Sequence, residues 1–224
     1  MQFALSKAQE KLIRSLHTKK GREKSGQCLV EGQKVVETAG DFVDWTFGPE
    51  DTLNFELLVT TEAPQTVAAV ARIPQWTAED LASSKTIVVL DGVQDPGNVG
   101  SILRLCLGFN GSLVLVESAD VTNPKVIRSS VGAMFQVPWI KVSREEIDSF
   151  IKQIGRRVYR LEKTESSKPL SEINIPDPVV LIAGSEGTGI QVDVHGVAVA
   201  VEHDSRLESL NVGHALAIAL HSRK

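Results

Sequence analysis

Five short runs dominate the second half of the chain: TIVVLD, SLVLVES, VYRLEK, PVVLIAG and GVAVAVE. Each is rich in Val, Ile or Leu, and helix-length segments separate them. A strand that is apolar nearly throughout has no face to turn to water, so both faces of its sheet must be covered. Strands alternating with helices therefore indicate an α/β fold with a parallel sheet from Lys85 onward. Ligands of such sheets sit beyond the carboxyl ends of the strands. Three polar turns lie there in this sequence: DGVQDPGN after the first run, AGSEGTG after PVVLIA, and HDSRLESLN after VAVAVE. Parallel strands would bring all three to one edge.

The first part reads differently. It begins as a helix (SKAQEKLIRSLHT), a basic loop (KKGREKSG), a strand (QCLVEG) and a helix (QKVVETAG). DWTFG, FELLVTT and a helical APQTVAAVARI follow, which together make a small α/β unit. The proline and polar residues of PQWTAEDLASSK read as a hinge. The expected division is 1–76, a linker at 77–84, and 85–224. Apolar residues at 42% and charged residues at 23% suit a soluble globular chain. No apolar run reaches the roughly 18 residues a membrane helix needs, and charges interrupt the apolar positions of MQFALSKAQEKLIRSL, unlike a signal peptide. Cys28 and Cys106 alone make neither a disulfide framework nor a zinc pattern. These features point to the cytoplasm.

The net charge of −4 speaks against a general polyanion binder, yet the charge is uneven. Lys7, Lys11, Arg14, Lys19, Lys20, Arg22 and Lys24 are opposed only by Glu10 and Glu23. Phosphate contacts depend on local cations, so this patch suits site-restricted contact with phosphates. The plain alternative is a solvated helix face followed by a basic loop. Base stacking is not indicated, because no Phe, Trp or Tyr interleaves the patch.

Of the three turns, AGSEGTG spaces its glycines G-x-x-G-x-G, which misses both the dinucleotide fingerprint and the phosphate-binding P-loop. It leaves a loop whose backbone can approach a flat ligand, with Glu186 able to cap backbone amides. His203, Asp204 and Ser205 are hydrolase residue types, but being consecutive they cannot form a relay. The five histidines show no metal-ligand spacing. Ser209 stands where the N-cap of the last helix is expected. In the first turn, Gly100-Ser101 is read as the helix start, and Arg104 is that helix's one charged side chain. A guanidinium beside a helix N-terminus and Asn98 suits a phosphate or a developing oxyanion; the bland alternative is a structural ion pair.

In order, the three segments resemble the SpoU-type (TrmH-like) RNA 2′-O-ribose methyltransferases of the SPOUT superfamily. Asp95-Pro96-x-Asn98-x-Gly100-x-Ile102-x-Arg104 is similar to the family's first motif. Val180-Leu181-x-x-Gly184-x-Glu186-Gly187-x-Gly189 is similar to its second, and Ser209-Leu210-Asn211-Val212 to its third. NPKVIRSSVGAMFQVP, carrying Arg128, resembles the segment between the first two motifs. The N-terminal part, with Val30-Glu31-Gly32, resembles the family's substrate-binding domain.

The resemblance implies a C-terminal sheet tied in a deep trefoil knot and a homodimer whose reactive residues meet across the interface. It implies S-adenosylmethionine held near Gly184, Glu186, Gly187, Val201, Leu210 and Asn211. Arg104, Ser209, Asn211, Asn98 and Glu186 would form the reaction centre, and no metal is implied. Lys11, Arg14, Lys19, Lys20, Arg22, Lys24 and Arg128 would grip RNA, with ribosomal RNA preferred over transfer RNA. Gly213-His214 and Val201-Glu202-His203 depart from the family pattern, altering the cofactor wall. A non-catalytic RNA-binding member and a different cofactor enzyme on the same sheet are the rival readings.

Overall fold

A computed structural model describes residues 5–63 and 65–223; the first four residues of the N-terminal stretch lie outside it. The chain forms two compact units, residues 1–75 with 120–136, and residues 76–119 with 137–224.

The first unit opens with α1 (Lys7–Leu16), capped by Ser6 and Gln9 in a reciprocal box. Ile13 and Leu16 are buried, while Lys7, Lys11 and Arg14, spaced by four and three, share the exposed face. The expected basic loop is a helix, α2 (Lys19–Ser25). Thr18 accepts the Gly21 amide at its start, and Gly26, at φ +68°, ends it in the left-handed region. β1 (Gln27–Glu31), α3 (Gln33–Ala39), β2 (Val43–Phe47) and α4 (Phe55–Leu58) follow. β3 (Ala68–Arg72) stands where the alanine-rich stretch reads as a helix. It is the centre of an antiparallel sheet, β1-β3-β2, with Ala68 to Ala71 wholly buried. Small side chains suit a strand pressed on both faces, and this burial overrides their helix propensity.

The second unit begins at Trp76 and takes in the whole of the stretch expected as a linker. Thr77 and Asp80 form a capping box for α5 (Ala78–Ala82), whose Leu81 is fully buried. β4 (Thr86–Asp91), α6 (Pro96–Gly108) and β5 (Gly111–Val116) come next. The chain then enters the first unit, where α7 (Pro124–Ser129) packs against β1. Residues 120–136 therefore differ from the expected boundary. The Arg22 guanidinium, 3% exposed, donates to Asp120 (2.7 Å), Thr122 (3.0 Å) and the Leu16 carbonyl (2.8 Å). Arg128 donates to Glu31 and Thr60.

Back in the second unit, β6 (Trp139–Lys141), α8 (Ile147–Ile154), β7 (Arg157–Leu161), β8 (Lys168–Pro169), β9 (Val179–Gly184), β10 (Val197–Ala200) and α9 (Val212–His221) complete the chain. The seven strands lie in the order β6-β5-β4-β9-β7-β10-β8, and every pairing is parallel. All residues of β4 and β5 are buried, as their apolar composition requires. The chain runs outward from β4 through β5 to β6, and β9 returns to β4's other side, which makes their junction a switch in strand order. Among the described residues no helix is long and apolar enough to cross a membrane.

Candidate active site

Helix α6 starts four residues before the expected Gly100. Asp95 is its N-cap, accepting the Asn98 amide at 2.7 Å, and Pro96 fills the first turn, where its missing N–H costs nothing. Helix α9 is capped by Asn211 rather than Ser209: the Asn211 Oδ1 accepts from Gly213 (3.0 Å) and His214 (3.3 Å). That geometry leaves the Asn211 amide nitrogen pointing away from its own helix. It donates to Asn98 Oδ1 at 2.8 Å and to Glu186 Oε1 at 2.9 Å. Asn98 Nδ2 donates to the same carboxylate oxygen at 3.2 Å, as does the Val212 amide at 3.3 Å. One residue from each of the three turns thus closes a bonded triplet. A carboxylate placed against two helix N-termini gains from both dipoles.

On one side of the triplet lies a cleft of about 340 Å³. Its walls are the ends of β7, β9 and β10 and the loop reaching Leu210; Gly184, Glu186, Gly189, Val201 and Ser209 line it. The glycines have a steric reason. A Cβ on Gly184 would stand 2.1 Å from the Gly189 carbonyl carbon, so the strand end and the returning loop touch through backbone alone. The turn between them is held by the Gly189 amide to the Ser185 carbonyl at 2.9 Å and by Thr188 to the Ser185 hydroxyl. Gly187 is in this turn but does not line the cleft. His203 also lines it, and its Nδ1 bonds the Val201 carbonyl at 2.8 Å. A carbonyl only accepts, so Nδ1 carries the proton.

Arg104 lines a second cleft, about 560 Å³, with Asn98, Ser101, Asn211 and His214. It is exposed, and among the described residues no carboxylate pairs with it, which removes the ion-pair alternative. Within one chain the guanidinium therefore lines a different cleft from Ser209 and Leu210: of the triplet, Glu186 lines the first cleft, and Asn98 and Asn211 line the second. Among the described residues no group of three or more His, Cys, Asp or Glu side chains could hold a metal.

The basic patch is thinner than its sequence suggests. Lys11, Arg14, Lys19, Lys20 and Lys24 are exposed. Arg22 is buried, and Arg128 is bonded to Glu31, so neither guanidinium is presented to a phosphate. Sequence reasoning also passed over Asp91, at the end of β4, and Arg160, on β7. Their signal was weak: single charges at the edges of apolar runs.

A hydrogen-bonded cluster of two carboxamides and a carboxylate at the switch point of a wholly parallel sheet, beside a glycine-walled cleft, fits the SPOUT class of α/β methyltransferases. The sequence profile of the SpoU rRNA methylase family matches residues 85–221, and that of the MRM3-like substrate binding domain matches residues 7–46. The 23S rRNA (guanosine(2553)-2′-O)-methyltransferase RlmP of Bacillus subtilis (strain 168) is 30% identical over 236 residues, covering 93% of this chain and 92% of that protein. The 23S rRNA (adenosine(1067)-2′-O)-methyltransferase of Streptomyces azureus is 34% identical across 69% of this chain and 60% of that one. A TrmH-family protein from Porphyromonas gingivalis superposes with a TM-score of 0.82 at 28% identity, covering 97% of each chain. An AdoMet-bound rRNA methyltransferase from Sinorhizobium meliloti, at 24% identity, shares the fold with a TM-score of 0.84 over 98% of this chain and 95% of that one. The chain belongs to the SpoU rRNA methylase family.

Proposed function

We propose that the chain methylates the 2′-hydroxyl of a ribose in ribosomal RNA, with S-adenosylmethionine as methyl donor. The observation that carries this reading is the Asn98–Glu186–Asn211 triplet, which joins all three family motifs beside the glycine-walled cleft. The cleft fits the donor: the bare backbone at Gly184 and Gly189 admits a flat ring, and Val201, Leu210 and Ser209 supply apolar wall and a hydroxyl. When bound there, the donor supplies an electrophilic methyl on its sulfonium. Glu186 and Asn211 fix the cleft's mouth. Arg104, free of any carboxylate, binds the phosphate beside the target ribose and stabilises the charge that develops on its 2′-oxygen. An arginine pKa above about 12 makes the guanidinium a poor resting base, so the phosphate relays the proton.

Because Arg104 and Ser209 face different clefts in one chain, a homodimer completes the centre. α6 and α9 pack together and leave Leu107 and Ile218 exposed, an apolar surface for a second copy. The C-terminal strands carry the trefoil knot of the family. The first unit holds RNA through Lys11, Arg14, Lys19, Lys20 and Lys24, and the enzyme works in the cytoplasm, where ribosomal RNA is found. The rRNA-directed relatives favour ribosomal over transfer RNA. Calorimetric titration with S-adenosylmethionine, followed by methyl transfer to ribosomal RNA from cells lacking the protein, tests the reading. Donor binding with transfer supports it; binding without transfer to any RNA would leave only a non-catalytic member of the fold.

A further inference from the structure

The segment after the Ser185–Gly189 turn has no regular structure, yet Val192 and Val194 are buried. Its backbone polar groups need partners that neither helix nor sheet supplies. Two charged side chains provide them from opposite sides. Asp91, the last residue of β4 and 1% exposed, accepts through Oδ2 from the amides of Gln191 (2.5 Å) and Val192 (2.8 Å). Its Oδ1 accepts from Arg144 Nη2 at 2.8 Å, which balances the charge. Arg160, on β7, donates through Nη1 to the carbonyls of Val192 (3.1 Å) and Val194 (2.8 Å). Its Nε donates to Glu162 at 2.7 Å. Val192 is thus held at its N–H by an anion and at its carbonyl by a cation.

We infer that Asp91 and Arg160 are positioning residues that clamp the 190–194 segment and thereby set the width of the methyl donor's cleft. This rests on the donor assignment proposed above. The clamp reaches the cleft at two places. Thr188, Gly189 and Ile190, which line the cleft, lead directly into the held segment, and Glu162, just after β7, lines it too. Arg160 ties those two places together.

The test uses Asp91→Asn, which keeps shape and removes charge, and Arg160→Gln, at a side chain that is 18% exposed. Hydrogen–deuterium exchange of the 186–194 segment reports on the clamp without any ligand. The expected result is faster exchange there, with wild-type protection kept in β4 and β5. Titration with S-adenosylmethionine should show a dissociation constant raised about tenfold, because binding must then order a wall that the clamp no longer holds. The Michaelis constant for the donor should rise by the same factor, with kcat at saturating donor changed by less than about twofold. Unchanged exchange in the folded variants, or unchanged donor affinity where the wild type binds, would overturn the clamp. Should Asp91→Asn fail to fold, Arg160→Gln decides alone. Should the wild type bind no donor, the functional reading fails and the exchange data still judge the clamp.

Discussion

Glu186 Oε1 accepts from three donors, and that count explains why Asn211 is asparagine and not serine. A hydroxyl could cap α9 but could not also reach Asn98 and Glu186 from a second atom, whereas a carboxamide caps with its oxygen and bridges with its nitrogen. Sequence pattern marked Asn98, Glu186 and Asn211, yet assigned the cap to Ser209, because cap preference alone ranks the two residue types as near equals. Arg104 plays no part in holding the fold, so Arg104→Lys should leave thermal unfolding and donor binding unchanged. Its kcat should fall about a hundredfold, because an ammonium cannot reproduce the two-pronged contact; single-turnover kinetics would show it, and undiminished turnover would end the active role. Gly184→Ala should act in the opposite way. With a Cβ 2.1 Å from backbone, the loop must shift, and the variant should lose donor binding in calorimetry while Arg104's surroundings stay as they are.

Helices and strands were legible where period and burial agreed. β4, β5 and β9 each coincide with an apolar run, since a doubly covered parallel strand leaves no other choice of side chain, while β7 and β10 lie within their expected runs though only partly buried. α2 was not, because KKGREKS offers no apolar face; its two caps and its buried Arg22 define it. β3 was missed because alanine in a central strand looks like alanine in a helix. The 120–136 excursion was equally hidden, for its partners Arg22 and Glu31 lie about a hundred residues away in sequence. The ion pairs also differ in weight. Lys19–Glu23, 61% exposed on both sides, is worth roughly 0.3–0.5 kcal/mol. Arg22→Met instead removes the guanidinium that Asp120, Thr122 and the Leu16 carbonyl share, and should cost about 3 kcal/mol in urea unfolding. A loss below that of the Lys19 pair would show that the excursion is held by other means.

Across the whole molecule, the two thiols report on the cores of both units. Burial pushes Cys28 and Cys106 up to about 12, so each stays a neutral thiol in the folded chain. Their folded values lie above the unfolded ones, so this contribution to stability is complete below about pH 9. It is lost as pH rises towards 12. At pH 8, iodoacetamide should label neither thiol until urea is added; native labelling at the rate of free cysteine would contradict the packing of that unit. The central claim is that the triplet and its clefts deliver a methyl group to a sugar oxygen. The most direct measurement is alkaline hydrolysis of ribosomal RNA after incubation with the purified protein and methyl-labelled S-adenosylmethionine. A methylated 2′-oxygen cannot attack its neighbouring phosphate, so the account predicts label in alkali-resistant dinucleotides. Label confined to mononucleotides would place the methyl on a base and contradict it.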